Sequence, residues 1–448
     1  MLNENKFSLL WGRQVVWPSD YPLKWQELPF IQRKAAVLVG KTKIQCQRCG
    51  AQFTKERTSL PDGSYYCPAC ILLGRLTSRD TLYTISEPNN FSALNGPILK
   101  WQGQLTRLQR KCAYELIASY QHKQNHLLWA VTGAGKTEIL YPLIIEALKN
   151  GERICLAAPR LDVCTELYLR LHPLLADEVS LVLLHGESQQ LYAYTQFVIC
   201  TTHQLLNFKE AFDVLVIDEV DAFPYQQSLE LQNGAQAAVK KQGMKVYLTA
   251  TPNRRLEKQI KHGKLQASLL FSRYHGGKLP EPKIILVRQL AQQISHQQLS
   301  LKLKKYLKKW QKQQQPFLVF VPQIEKLLII EEIIQKVIPK AQGATVHASD
   351  PKRSDKVQQL RQGKYQYLVT TTILERGVTF KGVQVVVLFA EHEQFQVPAL
   401  IQIAGRVGRD AKQNTGDVIF VASTYTRKLK KAVKMIRRIN DKAGDNHD

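Results

Sequence analysis

The chain has 448 residues, 44% of them hydrophobic, and carries 62 Lys and Arg against 37 Asp and Glu for a formal charge of +25. That length exceeds what one core fills and predicts two large units with a small appendage, while the basic excess points to a polyanionic partner, nucleic acid first and an anionic membrane surface second. No apolar run approaches the roughly 18 residues that span a bilayer, and the first residues, MLNENKFSLLWGRQVVW, lack the basic start and apolar stretch of a secretory signal, so a cytoplasmic protein is expected.

Residues 1–45 place Trp11, Trp17 and Trp25 among prolines and read as a small packed or interacting N-terminal segment. Residues 46–70 say more. Cys46-x2-Cys49-x17-Cys67-x2-Cys70 has the spacing of a four-thiolate zinc ribbon, in which each C-x-x-C turn aims two sulfurs at one point. The polar hairpin between the pairs carries a Pro61-Asp62-Gly63 turn that fits such a ribbon. A redox dithiol and two disulfides are the rival readings; disulfides do not suit a cytoplasmic chain, and two evenly spaced pairs favour metal. The ribbon is either structural only or, through Lys43, Arg48, Lys55 and Arg57, a contact for nucleic acid. Cys112, Cys155, Cys164 and Cys200 stand singly, mostly in apolar surroundings, and read as small buried hydrophobes. Residues 71–104, with Pro88, Gly96 and Pro97, read as a connector.

A helix is expected from near Leu105, carrying Gln109. Apolar runs at 126–131, 153–158, 180–184, 197–201, 213–217 and 245–249 then alternate with helical stretches, which predicts a buried parallel sheet in a first α/β domain over 105–275. The first run ends in Thr132, Gly133, Ala134, Gly135, Lys136 and Thr137, the spelling of a P-loop with Ala130 where the general pattern has its first glycine. Glycines let the backbone curl until several N–H groups converge, and the following helix adds its positive end. Lys136 then reaches the β/γ-phosphates of a nucleotide, and the Thr137 hydroxyl serves as one ligand of Mg²⁺. In VLVIDEVDAF, Asp218 and Glu219 follow a buried strand, the position from which Asp218 holds Mg²⁺ and Glu219 polarises the attacking water. Either motif alone also fits an ordinary strand-turn-helix or a solvated helix start; together they favour ATP. Thr249 and Thr251 end a further strand.

After a Gly-Gly-Lys-Leu-Pro junction at 276–280, runs at 283–288, 316–321, 344–347, 367–371, 383–390 and 417–422 predict a second α/β domain over 276–424. Thr371 and Thr372 follow one of its strands, in a loop able to face an interdomain cleft. QIAGRVGR at 402–409 sets Arg406 and Arg409 three apart, on one face of a helix, where forked and permanently charged guanidinium groups suit the charge developing on a γ-phosphate. The plainer reading is a basic helix facing solvent or DNA. LKLKKYLKKWQKQQQ (301–315) and YTRKLKKAVKMIRRI (425–439) are basic amphipathic helices. Packing of its apolar side on its own domain is favoured for the first. For the second, in the tail 425–448, packing and a seat on phosphates or anionic lipid both stay open.

In order along the chain, AVTGAGKT, APR at 158–160, TTHQ at 201–204, DEVD at 218–221, TAT at 249–251, TTTILERG at 370–377 and QIAGRVGR resemble the motifs of superfamily 2 helicases. The resemblance covers 105 to about 425 and implies two tandem RecA-like domains, parallel sheets flanked by helices, that clamp ATP and move along nucleic acid. It also implies roles. Gln109 is similar to an adenine-reading glutamine, Thr132 to Thr137 with Asp218 and Gln402 to the nucleotide set, and Thr249 and Thr251 to a coupling motif. Arg406 and Arg409 match arginines given to ATP by the second domain, while Arg160, Thr201, Thr202, Thr371 and Thr372 resemble contacts to the sugar-phosphate backbone. Two departures stand out. Thr379 replaces an acidic residue of many relatives, and Gln402 replaces a histidine, which points away from DEAD-box RNA helicases.

The ribbon ahead of the first domain, the basic charge and DEVD with QIAGRVGR resemble, more narrowly, the ComFA family of late competence proteins. That resemblance implies a cytoplasmic, DNA-dependent ATPase, with ATP, Mg²⁺ and Zn²⁺ as its groups. It would draw transforming single-stranded DNA through a membrane channel, beside a ComFC-like partner and at the inner face of the membrane. A PriA-like replication-restart helicase, or another duplex-unwinding helicase, is the alternative. A zinc-bearing scaffold with a silent motor is disfavoured because every charged residue of the ATP site is present.

Overall fold

The computed structural model describes residues 4–19, 21–92, 94, 96–186, 192–410 and 414–444. The chain divides into two compact units, Met1–Trp129 with Lys136–Leu269, and Ala130–Gly135 with Leu270–Asp448.

The N-terminal part begins with a short helix, α1 (Glu4–Phe7), and holds six short strands: β1 (Val15–Val16), β2 (Gln32–Ala35), β3 (Val37–Val39), β4 (Lys43–Cys46), β5 (Gln52–Thr54) and β6 (Thr81–Thr84). They form two antiparallel sheets of three strands, ordered β1-β6-β2 and β3-β4-β5. The tryptophans of the first segment explain the former sheet's core. Trp17 lies against Tyr83 with ring centroids 4.9 Å apart, and Trp25 against Phe7 at 4.8 Å, around buried Leu10, Tyr21 and Ile31.

The stretch 71–104, expected as a connector, is therefore more than that: β6 is the central strand of this sheet. Beyond it, the Glu87 carboxylate accepts from Arg153 Nη1 at 2.5 Å, and Asn89 donates to Asp213 Oδ2 at 3.0 Å. Both side chains of the Glu87–Arg153 pair are fully buried. Arg153 is further satisfied by the Thr195 carbonyl at 2.9 Å and the Tyr192 hydroxyl at 2.7 Å, as a buried charge requires.

In the first large sheet, β7 (His126–Ala130), β8 (Ile154–Ala158), β9 (Leu181–Leu184), β10 (Phe197–Thr201), β11 (Phe212–Ile217), β12 (Val239–Thr249) and β13 (Gln266–Leu270) take the order β13-β7-β12-β11-β8-β10-β9. β7 to β12 run parallel. Every residue of β8 and β10 is buried, the mark of a sheet covered on both faces. Helices α2 (Arg107–Gln121), α3 (Lys136–Lys149), α4 (Leu161–Leu171), α5 (Leu229–Ala238) and α6 (Arg254–Lys261) accompany it. The core of the ribbon is continuous with this sheet's core, in one buried cluster that holds Cys46, Cys49, Cys67 and Cys70 together with Leu205, Leu206 and Leu231. Asn233 on α5 donates to the Cys49 carbonyl at 3.3 Å, and Gln14 to that of Leu206 at 3.1 Å, so the ribbon is docked rather than tethered.

The second unit repeats the plan with β14 (Lys283–Leu286), β15 (Phe317–Phe320), β16 (Gly343–Val346), β17 (Tyr367–Thr370), β18 (Gln384–Leu388) and β19 (Val418–Ala422), all parallel in the order β14-β19-β18-β15-β17-β16. Its helices are α7 (Leu290–Ser295), α8 (Leu301–Lys312), α9 (Leu327–Val337), α10 (Arg353–Arg361), α11 (Val397–Ala404) and α12 (Arg427–Gly444). Leu303, Leu307 and Trp310 of α8 are buried, so its apolar side packs inward. On α12, Leu429, Ala432, Ile436 and Ile439 are likewise buried, and the Asn440 amide exchanges two hydrogen bonds with the Leu279 backbone at 2.8 and 2.9 Å. The apolar face of the terminal helix is thus packed on its own unit. Only its basic side is left outward.

Candidate active site and metal centre

In a parallel sheet the loops that can carry chemistry gather at the carboxyl ends of the strands. In the first unit β7 and β11 flank β12, so Lys136 after β7, Asp218 and Glu219 after β11, and Thr249 and Thr251 at the end of β12 share one edge. Thr201 and Thr202 at the end of β10, and Arg160 after β8, extend it. The turn before α3 needs its glycines, since Gly133 and Gly135 sit at φ +80° and +77°. Ala130, in the place of the usual first glycine, is fully buried at the end of β7 and fits without strain.

Thr137 opens α3 and its hydroxyl accepts from Arg170 at 3.5 Å; Arg170 also pairs with Glu138 at 2.6 Å. The Asp218 N–H donates to the Ala157 carbonyl and its Oδ1 accepts from the Glu219 N–H, both at 2.8 Å. Glu219 adopts a left-handed φ of +50°, an uncommon conformation for a residue with a side chain and one that recurs at functional loops. Gln109 caps its own helix: its Oε1 accepts from the Thr106 N–H at 2.9 Å while its N–H returns to Thr106 Oγ1 at 3.3 Å.

The second unit contains Ala130–Gly135 together with the QIAGRVGR stretch. There Thr132 donates to the Gly405 carbonyl at 3.3 Å, and a Cβ on Gly405 would collide with Thr132 Oγ1. Arg406 and Arg409 do not share a helical face as expected. α11 stops at Ala404, Gly405 caps it and Gly408 turns with φ +70°, so both arginines lie past its end. Arg406 is buried with Nε on the Glu375 carbonyl at 3.1 Å; Arg409 donates from Nε to the Gly405 carbonyl at 3.1 Å and from Nη1 to the Thr379 hydroxyl at 3.4 Å. Gln402 is buried on α11, and Thr371 and Thr372 follow β17 at the carboxyl edge of this sheet.

Sequence reading missed Arg273. Buried in the same unit, its guanidinium donates to the carbonyls of Gly405 (3.1 Å), Val407 (2.7 Å) and Gly408. Burial, then the charge of Arg409, pushes its pKa down to about 9. It closes off carbonyls left by the end of α11, a task that no local pattern around 271–277 announces.

The four cysteines of the ribbon converge and are buried. Cys46 and Cys70 sulfurs lie 3.8 Å apart, those of Cys49 and Cys67 3.6 Å, and all four ligand atoms lie within 4.8 Å of one another. Thiolates about 2.3 Å from a tetrahedral zinc stand about 3.8 Å from each other, so this donor set fits Zn²⁺. Arg48 Nε donates to Cys70 Sγ at 3.4 Å and its Nη2 to the Cys70 carbonyl at 3.3 Å. Of the basic residues considered for nucleic acid, this one is buried and turned inward.

The solved structures that this chain resembles show the same pair of sheets. S. cerevisiae Dbp5 bound to RNA and ADP BeF3 superposes with a TM-score of 0.53 at 14% identity over 75% of this chain and 91% of that one. The DEAD-box helicase Mss116 bound to ssRNA gives 0.57 at 16% over 74% and 77%. The family descriptions "Type III restriction enzyme, res subunit" and "Helicase conserved C-terminal domain" match residues 102–254 and 298–411. Fold and motifs together define an ATP-hydrolysing, helicase-like enzyme of two RecA-like domains. The N-terminal domain of competence protein ComFA matches residues 13–84, and competence protein ComFA of Streptococcus pneumoniae is 40% identical over 95% of this chain and 97% of its own length. That of Bacillus subtilis is 36% identical over 95% and 92%. The chain belongs to the ComFA family of competence proteins and is a helicase-type ATPase of competence. Among the described residues no helix is long and apolar enough to cross a membrane.

Proposed function

We propose that the protein is an ATP-driven translocase on single-stranded DNA that draws transforming DNA across the cytoplasmic membrane. The observation that carries this reading is the shared carboxyl edge of the first sheet, where Lys136 and Thr137 follow β7, Asp218 and Glu219 follow β11, and Thr201 and Thr202 stand at the end of β10. Lys136 and the turn from Thr132 to Gly135 hold the phosphates, Gln109 and Gln402 belong to the nucleotide pocket, and Glu219 orients the attacking water. Thr137 and Asp218 offer hard oxygens that fit Mg²⁺, which when bound neutralises charge on the phosphates. Arg406 and Arg409 supply the fixed positive charge that the transferring phosphoryl group demands. Arg160, Thr201, Thr202, Thr371 and Thr372 hold the sugar-phosphate backbone, and Thr249 and Thr251 transmit the state of the nucleotide. The four cysteines hold one Zn²⁺, which fixes the ribbon. The family supports a ComFC-like partner, a membrane channel and a station at the inner face of the membrane. ATP-dependent displacement of streptavidin from a biotinylated single strand, lost in Glu219→Gln, tests the proposal. Absence of displacement, with efficient unwinding of a forked duplex instead, would favour a replication-restart helicase.

A further inference from the structure

At the amino ends of β15, β16, β17 and β18, the edge of the second sheet opposite Thr371 and Thr372, lies a cleft of about 890 Å³. Ligand pockets fall in the range of about 300–1,000 Å³. Its floor is the buried side chains of Leu360 and Phe380, and its rim carries four cations, Lys340, Arg361, Lys364 and Lys381, with no carboxylate among the residues that line it. Lys340, Lys364 and Lys381 are exposed, and like charges around one concavity repel one another until an anion enters. Half-buried Tyr365 stands among them and offers a ring against which a base can stack, the combination of cations and an aromatic face that suits nucleotides. None of these residues belongs to the nucleotide or backbone contacts assigned above.

We propose that this cleft is a second phosphate site, which takes a nucleotide unit as a free monophosphate or as part of a passing strand. It stands apart from the ATP reading and does not depend on it. The cleft is also wired to the site's arginines. Arg361 Nε donates to the Thr379 carbonyl at 3.3 Å, and the Thr379 hydroxyl receives Arg409 at 3.4 Å. A phosphate in the cleft competes with that carbonyl for Arg361, so occupancy is felt by the loop that Arg409 leans on.

The test is equilibrium binding to the full-length protein without ATP, by calorimetry with dTMP and by fluorescence anisotropy with a labelled oligothymidylate, across a salt series. The wild type, K364Q/K381Q and K340Q/K364Q are compared, with K136A as a reference for binding at the P-loop. The substituted lysines are exposed, so the fold and DNA-free ATP turnover should stay within about twofold of the wild type. Both double variants should lose about tenfold in affinity, and their salt slope on the oligonucleotide should shrink by about 1.4, the worth of two phosphate contacts on a single strand. A loss with dTMP that K136A does not share identifies a free-nucleotide site; a loss confined to the oligonucleotide identifies the strand. Unchanged affinity and slope for both probes would overturn the proposal, whatever the turnover assays say of translocation.

Discussion

Thr249 donates its hydroxyl to one carboxylate oxygen of Asp221 at 2.6 Å, and Thr251 donates to the other at 2.7 Å. All three are buried, so the loop after β11 and the end of β12 are held by charge-assisted bonds away from water. Thr251→Val keeps the shape and removes a donor. It should cost about 1–3 kcal/mol in urea unfolding and lower DNA-stimulated turnover more than basal turnover. Unchanged stability would deny the bond its structural weight.

Metal analysis of protein purified without chelator should give one zinc per chain, and Cys46→Ser or Cys70→Ser should abolish it. Because the ribbon and the first sheet share one buried core, loss of zinc should also lower the melting temperature of that unit. A chain free of zinc yet equally stable would refute the site.

His126, buried at the start of β7 between Ser119 and Ser268 at 2.8 and 2.9 Å, has its pKa pushed down to about 4 by burial. The unfolded chain, with an ordinary value near 6.5, binds the proton more readily. Stability is therefore full above about pH 6.5 and declines towards pH 4, by at most about 3 kcal/mol. Urea midpoints across that range should fall more steeply for the wild type than for His126→Gln. Equal slopes would count against it.

The Glu87–Arg153 pair is fully buried, so Glu87→Ala strands a charge and should cost about 3–5 kcal/mol. Glu87→Ala with Arg153→Met should recover part of that loss, as equilibrium unfolding would show. A single variant as stable as the wild type would contradict the account.

The strand positions in both large sheets could be read because their residues form unbroken apolar runs; all of β8, β10 and β18 is buried. The chemistry at the carboxyl ends could be read because its residue types are demanded by phosphate and metal. What could not be read depends on partners distant in sequence. β1 has two residues and gains its place from Tyr83 and Leu82, so it leaves no periodicity. β13, reading QASLL, alternates at the sheet edge and makes no apolar run. Arg406 and Arg409 left the expected helix because Gly405 and Gly408 end it, and Arg273 is defined only by the carbonyls it meets.

The most direct test of the central claim is steady-state ATP turnover of the purified protein, titrated with single-stranded DNA, duplex DNA and single-stranded RNA across a salt series. The account predicts strong stimulation by single-stranded DNA, falling steeply with salt, and its loss by orders of magnitude in Lys136→Ala, Glu219→Gln and Arg409→Ala. Equal or greater stimulation by forked duplex or RNA, or turnover undiminished in Lys136→Ala, would contradict it.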